Sequence, residues 1–187
     1  FTLRKSFLIP ETALRVFRAI GFILCVFTYI WTTRDYLSSL AYLTNWGIIF
    51  TGAYFLCSSL CYFIYKEDED VDVKKPFTFW KFTSVLCELA FSMEVLILIY
   101  YWALLYPGTP EEHVGIRFWN TIFEHAVTPV LIYLEVIFGG NRFYKRHVIF
   151  MVLVGSMFVA TNFIATKIMG HPVYSNLTWE SIETFYF

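Results

Sequence analysis

Five blocks of apolar residues, each close to twenty residues long, divide the chain almost from end to end. About 20 consecutive apolar residues are what a helix needs to cross the hydrocarbon layer of a bilayer. No water is present there to satisfy backbone N–H and C=O groups, so such a segment must satisfy them internally, as a helix does. The chain therefore reads as an all-α, polytopic membrane helical bundle. Residues 1–187 form a single transmembrane domain with spans at about 14–32, 41–65, 79–106, 117–138 and 148–168. Composition agrees: 16% of residues are charged and 58% hydrophobic, whereas a soluble domain carries about a quarter charged residues.

The connections are short and polar. "KEDEDVDVKK" (66–75) reads as a solvated charged loop, "PGTPEEHVGI" (107–116) as a turn-rich link, and "GGNRFYKRH" (139–147) as a basic turn. The tail "GHPVYSNLTWESIETFYF" is too polar and too broken to span. It is expected to lie at the interface or to lead into a sixth helix. The chain starts at Phe1 without an initiator Met, so a removed leader or incomplete ends are expected. Asn176 heads an "NLT" glycosylation sequon.

All but Arg34, Arg117 and Lys167 of the 14 Lys and Arg residues fall on the N-terminal side of this alternation. Basic residues favour the cytosolic side, which puts the N-terminus in the cytosol, or in the matrix of a mitochondrion. A net charge of −1 gives no footprint for nucleic acid. Cys25, Cys57, Cys61 and Cys87 all fall in apolar blocks, where packing is the expected role. No metal and no cofactor is expected.

Within the third and fourth spans stand Glu88, Glu94, Glu124, His125 and Glu135. Each ionisable group in hydrocarbon costs roughly 2.5–3.5 kcal/mol on the insertion scale. The bland explanation is that they pair with one another, or with Ser and Thr, and lock the bundle. His125 invites a sharper one. Pro129 stands four residues later and cannot donate to the His125 carbonyl. The freed carbonyl needs a partner, which predicts a kink and a small polar cavity. Glu124, Thr128, Leu131 and Glu135 make one stripe, expected to face the bundle interior.

Span direction narrows the search for a nucleophile. His125 is about eight residues into its span, roughly 10–12 Å deep at 1.5 Å per residue. Thr44 begins the second span from the same side, and Asn45 and His171 belong to that side too. A hydroxyl is a weak nucleophile until a base takes its proton, and imidazole titrates near working pH. Thr44 as nucleophile and His125 as base are therefore the candidate catalytic pair. Glu124 or Glu135 would orient the imidazole. Asn45 is a candidate oxyanion donor, and Thr128 and His171 are further supporting residues.

Three short motifs occur in order: Leu43-Thr44 in "AYLTNW", His125 and Glu135 in "HAVTPVLIYLE", and Gly170 to Tyr174 in "GHPVY". On these the chain resembles the androgen-induced protein family, which includes the androgen-dependent TFPI-regulating protein and has rolling-stone-type relatives. The resemblance runs from about residue 40 to 180. It implies a multi-span fold and an intramembrane threonine hydrolase of fatty acid esters of hydroxy fatty acids, with Thr44 as nucleophile and His125 as base. A family His three residues before the catalytic one is replaced by Ile122. The family's sixth span is not seen, and "TNWG" is closer to the rolling-stone branch.

Two further readings compete with a hydrolase that binds a lipid or fatty-acyl ester among membrane lipids. One is a non-catalytic accessory or structural subunit of a larger membrane complex, in mitochondria or elsewhere, with other membrane subunits as partners. The other is a proton or ion carrier built on Glu88, Glu94 and Glu135, against which stands the lack of an internal repeat.

Overall fold

The computed structural model of the chain describes residues 6, 8–33, 39–65, 78–110, 113–174 and 177–180. The charged loop 66–75, Arg4, Lys5, Arg34 and the sequon residue Asn176 lie outside the described residues. Within them the only regular structure is helix, and there are no strands.

Helices α1 (Glu11–Thr32), α2 (Leu43–Ile64) and α3 (Phe79–Tyr100) come first, and α3 runs on through a π turn at Tyr101–Leu105 and a 3-10 turn at Tyr106–Gly108. The next span is assembled from α4 (Gly115–Ile122), a second π turn at Phe123–Val127, and α5 (Thr128–Gly139). A 3-10 turn at Lys145–His147 leads into α6 (Val148–Met169). Five stretches are long and apolar enough to cross a membrane: Glu11–Thr32, Leu43–Ile64, Phe79–Gly108, Gly115–Gly139 and Lys145–Met169. The shortest have 22 residues, about 33 Å of helix against a hydrocarbon core of about 30 Å. The spans stand within a few residues of their expected bounds.

Each helix faces the core for a reason visible in its residues. On α1 the buried positions are Leu14, Arg18, Gly21, Cys25 and Thr28, one stripe at helical spacing. Ile20, Ile23, Phe27 and Ile30 point outward, which suits lipid. Helix α2 is central and packs on both α1 and α3, and α3 packs in turn on α5. Small residues permit the close approaches. A Cβ at Gly47 would meet Ile97 and Glu94 of α3, and one at Gly21 would touch the Phe55 ring at 3.0 Å. Cys25, Ile48, Tyr54, Phe55, Leu86, Cys87, Ala90, Leu131 and Ile132 form the apolar core.

Helix α6 stands apart. Only 6% of its most apolar stretch is buried, against 44% for α2 and α3, so it lies on the outside of the bundle. A polar clasp ties it in. Asn162 donates to the Ala41 carbonyl at 3.0 Å and accepts from the Trp179 indole at 2.9 Å. Two left-handed glycines close helices and redirect the chain, as is common at helix C-termini. Gly140 (φ 61°) ends α5, and Gly170 (φ 72°) ends α6 and turns the following residues back toward the bundle.

Candidate functional site

At the end of the bundle where α1 stops, α2 starts and α3 gives way to its π turn lies a cavity of about 550 Å³. That is within the 300–1,000 Å³ range of small-molecule sites. Thr32 contributes from the end of α1, Thr33 and Ser39 from the α1–α2 connection, Leu43, Thr44 and Asn45 from α2, and Ile97, Tyr100, Tyr101 and Leu105 from α3 and its extension. Glu124 and His125 enter from the fourth span, and Val173 and Tyr174 from the chain beyond α6.

Thr44 Oγ1 stands 3.5 Å from His125 Nδ1. The other imidazole nitrogen, Nε2, is 3.6 Å from Glu124 Oε2. Hydroxyl, imidazole and carboxylate thus follow one another in a line. With the imidazole proton on Nε2, it faces the carboxylate, and the Nδ1 lone pair faces the Thr44 hydroxyl. That is the order of groups in which a base is oriented by an acid and aimed at a nucleophile. Both distances are long for hydrogen bonds, and long contacts in a site without substrate do not rule out such an arrangement.

The imidazole is held by neighbours that the sequence did not reveal. Tyr101 stacks on it with ring centroids 3.4 Å apart and planes at 11°. The Trp102 indole N–H donates to the His125 carbonyl at 3.0 Å. This is the carbonyl that Pro129 leaves without its helical donor, so the partner that lipid cannot supply comes from α3's extension. Both residues ride on the π turn Tyr101–Leu105, opposite the π turn Phe123–Val127 that carries His125. A π turn inserts an extra residue and so shifts which side chains face a neighbour; such turns frequently mark functional sites. Neither Tyr101 nor Trp102 was among the candidate residues that the sequence suggested.

The remaining candidates divide. Asn45 lines the cavity, but its side chain ties down the α1–α2 connection, donating to the Ser39 carbonyl at 3.1 Å and lying 3.3 Å from the Thr33 hydroxyl that donates to it. Thr128 is fully buried and serves Glu94, with its hydroxyl 3.3 Å from Glu94 Oε2 and 3.3 Å from the Glu124 carbonyl. His171 is exposed and lies outside the cavity, its Nδ1 3.4 Å from the neighbouring Pro172 carbonyl.

Glu135 is elsewhere, and as an orienting group for His125 it is corrected. Ten residues of helix separate the two, about 15 Å. Glu135 instead receives Arg18: Nε stands 3.1 and 3.2 Å from its two oxygens and Nη2 2.5 Å from Oε1. Tyr54 donates to Oε1 at 2.7 Å, and Asn141 stands 3.4 Å away. Arg18, counted above among the basic residues of the N-terminal side, is 0% exposed inside the bundle.

The other buried carboxylates also have local occupations. Glu88 accepts from the Tyr144 N–H at 3.2 Å and is 2.8 Å from His147 Nδ1. Glu94 accepts from Thr51 at 3.1 Å and meets Thr128. Each carboxylate thus serves a different seam between helices. Among the described residues no group of three or more His, Cys, Asp or Glu is arranged to hold a metal ion.

Fold and site together define a class: a helical bundle with five apolar helices long enough to cross a membrane and a threonine–histidine–glutamate line in a cavity at one end. Beyond that class, comparison with protein families, with curated proteins and with solved structures finds no match.

Proposed function

We propose that the chain is an integral membrane hydrolase of lipid esters, with Thr44 as nucleophile, His125 as general base and Glu124 as the group that orients the imidazole. The observation that carries the reading is the 3.5 Å approach of Thr44 Oγ1 to His125 Nδ1 inside a cavity large enough for a ligand. The resemblance to the androgen-induced protein family supports the same chemistry and suggests fatty acid esters of hydroxy fatty acids as substrates.

In the first half-reaction Thr44 Oγ attacks the ester carbonyl carbon while its proton passes to His125 Nδ1. The tetrahedral intermediate collapses, the ester C–O bond breaks, and the leaving alkoxide takes the proton from His125. In the second, water attacks the threonyl ester, gives its proton to His125, and Thr44 leaves with that proton restored. The sum is ester plus water giving acid plus alcohol. Glu124, beside Nε2, stabilises the imidazolium formed in each half. By the distribution of Lys and Arg, the cavity opens toward the side opposite the cytosol or matrix. A lipid ester would enter from the membrane plane and water from the nearby surface.

The test is turnover of a fluorogenic long-chain acyl ester by the purified full chain, with covalent labelling by a fluorophosphonate. Thr44→Ala and His125→Ala should each abolish turnover and labelling. Labelling that persists in Thr44→Ala overturns the assignment of the nucleophile.

A non-catalytic role in a larger membrane complex has its own support in α6, whose apolar surface is nearly all outside the bundle. A second membrane protein could cover that surface as readily as lipid. Purification in a fixed stoichiometric complex, with no esterase activity, would favour this reading.

A further inference from the structure

The hydrolase reading leaves the substrate's carbonyl oxygen without a donor. In the tetrahedral intermediate that oxygen carries the negative charge, and a donor aimed at it supplies a large part of catalysis in acyl transfer. Asn45 is engaged with the α1–α2 connection. The amide of Asn45 donates to the Tyr42 carbonyl at 3.2 Å. Another element that reaches the cavity carries a donor.

Tyr174 is that element's contribution. Gly170 turns the chain at the end of α6, and Val173 and Tyr174 come back to line the cavity. The Tyr174 hydroxyl oxygen accepts the Leu43 N–H at 2.9 Å. Leu43 is the first residue of α2 and the immediate neighbour of Thr44. First-turn amides of a helix have no helical acceptor and carry the positive end of its dipole. A phenol whose oxygen accepts such an N–H becomes a stronger donor through its own O–H. No acceptor for that proton occurs among the described residues.

The ring is also fixed in place. It meets Tyr42 edge-on at 5.9 Å and Tyr100 at 6.0 Å. Tyr42 precedes the helix that carries Thr44, and Tyr100 precedes the Tyr101 that stacks on His125. The Tyr174 ring is thus braced by the elements that position both members of the pair. Burial pushes its hydroxyl ionisation upward, which keeps it a proton-bearing phenol at working pH.

We infer that Tyr174 is a catalytic residue of the proposed hydrolysis, its phenol donating a hydrogen bond to the carbonyl oxygen of the ester as Thr44 attacks. This inference rests on the hydrolase reading. As the Thr44 Oγ–carbon bond forms, the C=O π pair moves onto oxygen. Tyr174 stabilises that charge without transferring its proton, and the pair returns when the C–O bond to the alcohol breaks.

The experiment uses the full chain with two fluorogenic long-chain esters, one with a carbonyl and one with a thiocarbonyl, whose sulfur is a poor acceptor. Tyr174→Phe should lower kcat on the carbonyl ester by about 10²–10³-fold with KM little changed, and the thionoester far less. The ratio of the two rates in one preparation does not depend on the fraction folded. Leu43→Pro is the second variant: proline is favoured at a first helical position, and it removes the N–H that polarises the phenol. It should cost about tenfold in kcat on the carbonyl ester, a fraction of a full oxyanion-donor effect. Equal losses on both esters, or no loss in either variant, overturn the inference. If Thr44→Ala still turns over ester, the hydrolase reading itself falls. If Thr44→Ala is dead and Tyr174→Phe is unimpaired, only the role of Tyr174 falls.

Discussion

The bundle holds two polar clusters of opposite character, one at each end of the fourth span. Around Glu135 everything is closed. Arg18, Tyr54 and Glu135 are 0% exposed, the guanidinium engages both carboxylate oxygens, and Tyr62 accepts from Arg18 Nη1 at 3.0 Å. Around His125 the ring and the carbonyl are held by Tyr101 and Trp102, but the polar partners of the imidazole are looser. The contacts to Thr44 and Glu124 are 3.5 and 3.6 Å, Thr44 and Glu124 are half-buried, and a cavity adjoins them. The same kinds of group, in the same span, are used once as a staple and once, on our proposal, as a site. A buried charge that is fully paired and hydrogen-bonded holds helices together. On the proposed reading, the line of Thr44, His125 and Glu124, whose contacts are long and which borders a cavity, is where a substrate would bind.

Removing parts of each cluster should separate the two uses. The largest loss of stability is expected at the closed end. Arg18→Ala leaves Glu135 buried without its cation and should cost about 3–5 kcal/mol, read as thermal unfolding in detergent. Arg18→Met combined with Glu135→Leu removes both charges together and should recover most of that loss. If the double variant is as unstable as the single, the cluster is more than a staple.

Trp102→Phe comes next. It keeps an aromatic ring and removes the N–H that serves the His125 carbonyl. A buried acceptor left unpaired costs about 1–3 kcal/mol, and turnover should fall as the π turn shifts. Unchanged unfolding would mean that another donor reaches that carbonyl. Thr51→Val, which takes one donor from Glu94, is expected to cost about 0.6–2 kcal/mol while leaving the cavity end and its activity in place. Smallest in stability is Thr44→Ala, within about 0.5 kcal/mol of the parent. Its effect on turnover should be the greatest, at least about 10³-fold. Stability and activity should therefore rank these substitutions in nearly opposite orders, and a shared ranking would erase the distinction between the two ends.

Much of the architecture was legible before any coordinates. The spans follow from block length alone, because hydrocarbon accepts no unpaired backbone and leaves helix as the only solution for an isolated segment. That Thr44 and His125 share one end of the bundle follows from counting crossings. The need of the His125 carbonyl for a partner follows from Pro129, through a local steric rule that acts within one turn of helix. Each of these depends on residues near one another in sequence or on the parity of the spans.

What the tertiary structure alone decided are the partners across helices. Arg18 looked like one more cytosolic charge, and Glu135 like a possible companion of His125. Their pairing joins residues 117 apart in sequence, and no periodicity on either helix announces it. Two π turns, of which only the one beside Pro129 had a local mark, carry His125 on one side and Tyr101 and Trp102 on the other, so that Tyr101 covers the imidazole and Trp102 serves its carbonyl. The return of Tyr174 to the head of α2 depends on how far Gly170 turns the chain. Helix formation is a matter of local backbone satisfaction and can be read from a window of residues. Rotation of each helix about its axis, and so the choice of side chains that meet, is settled only when all the faces pack at once.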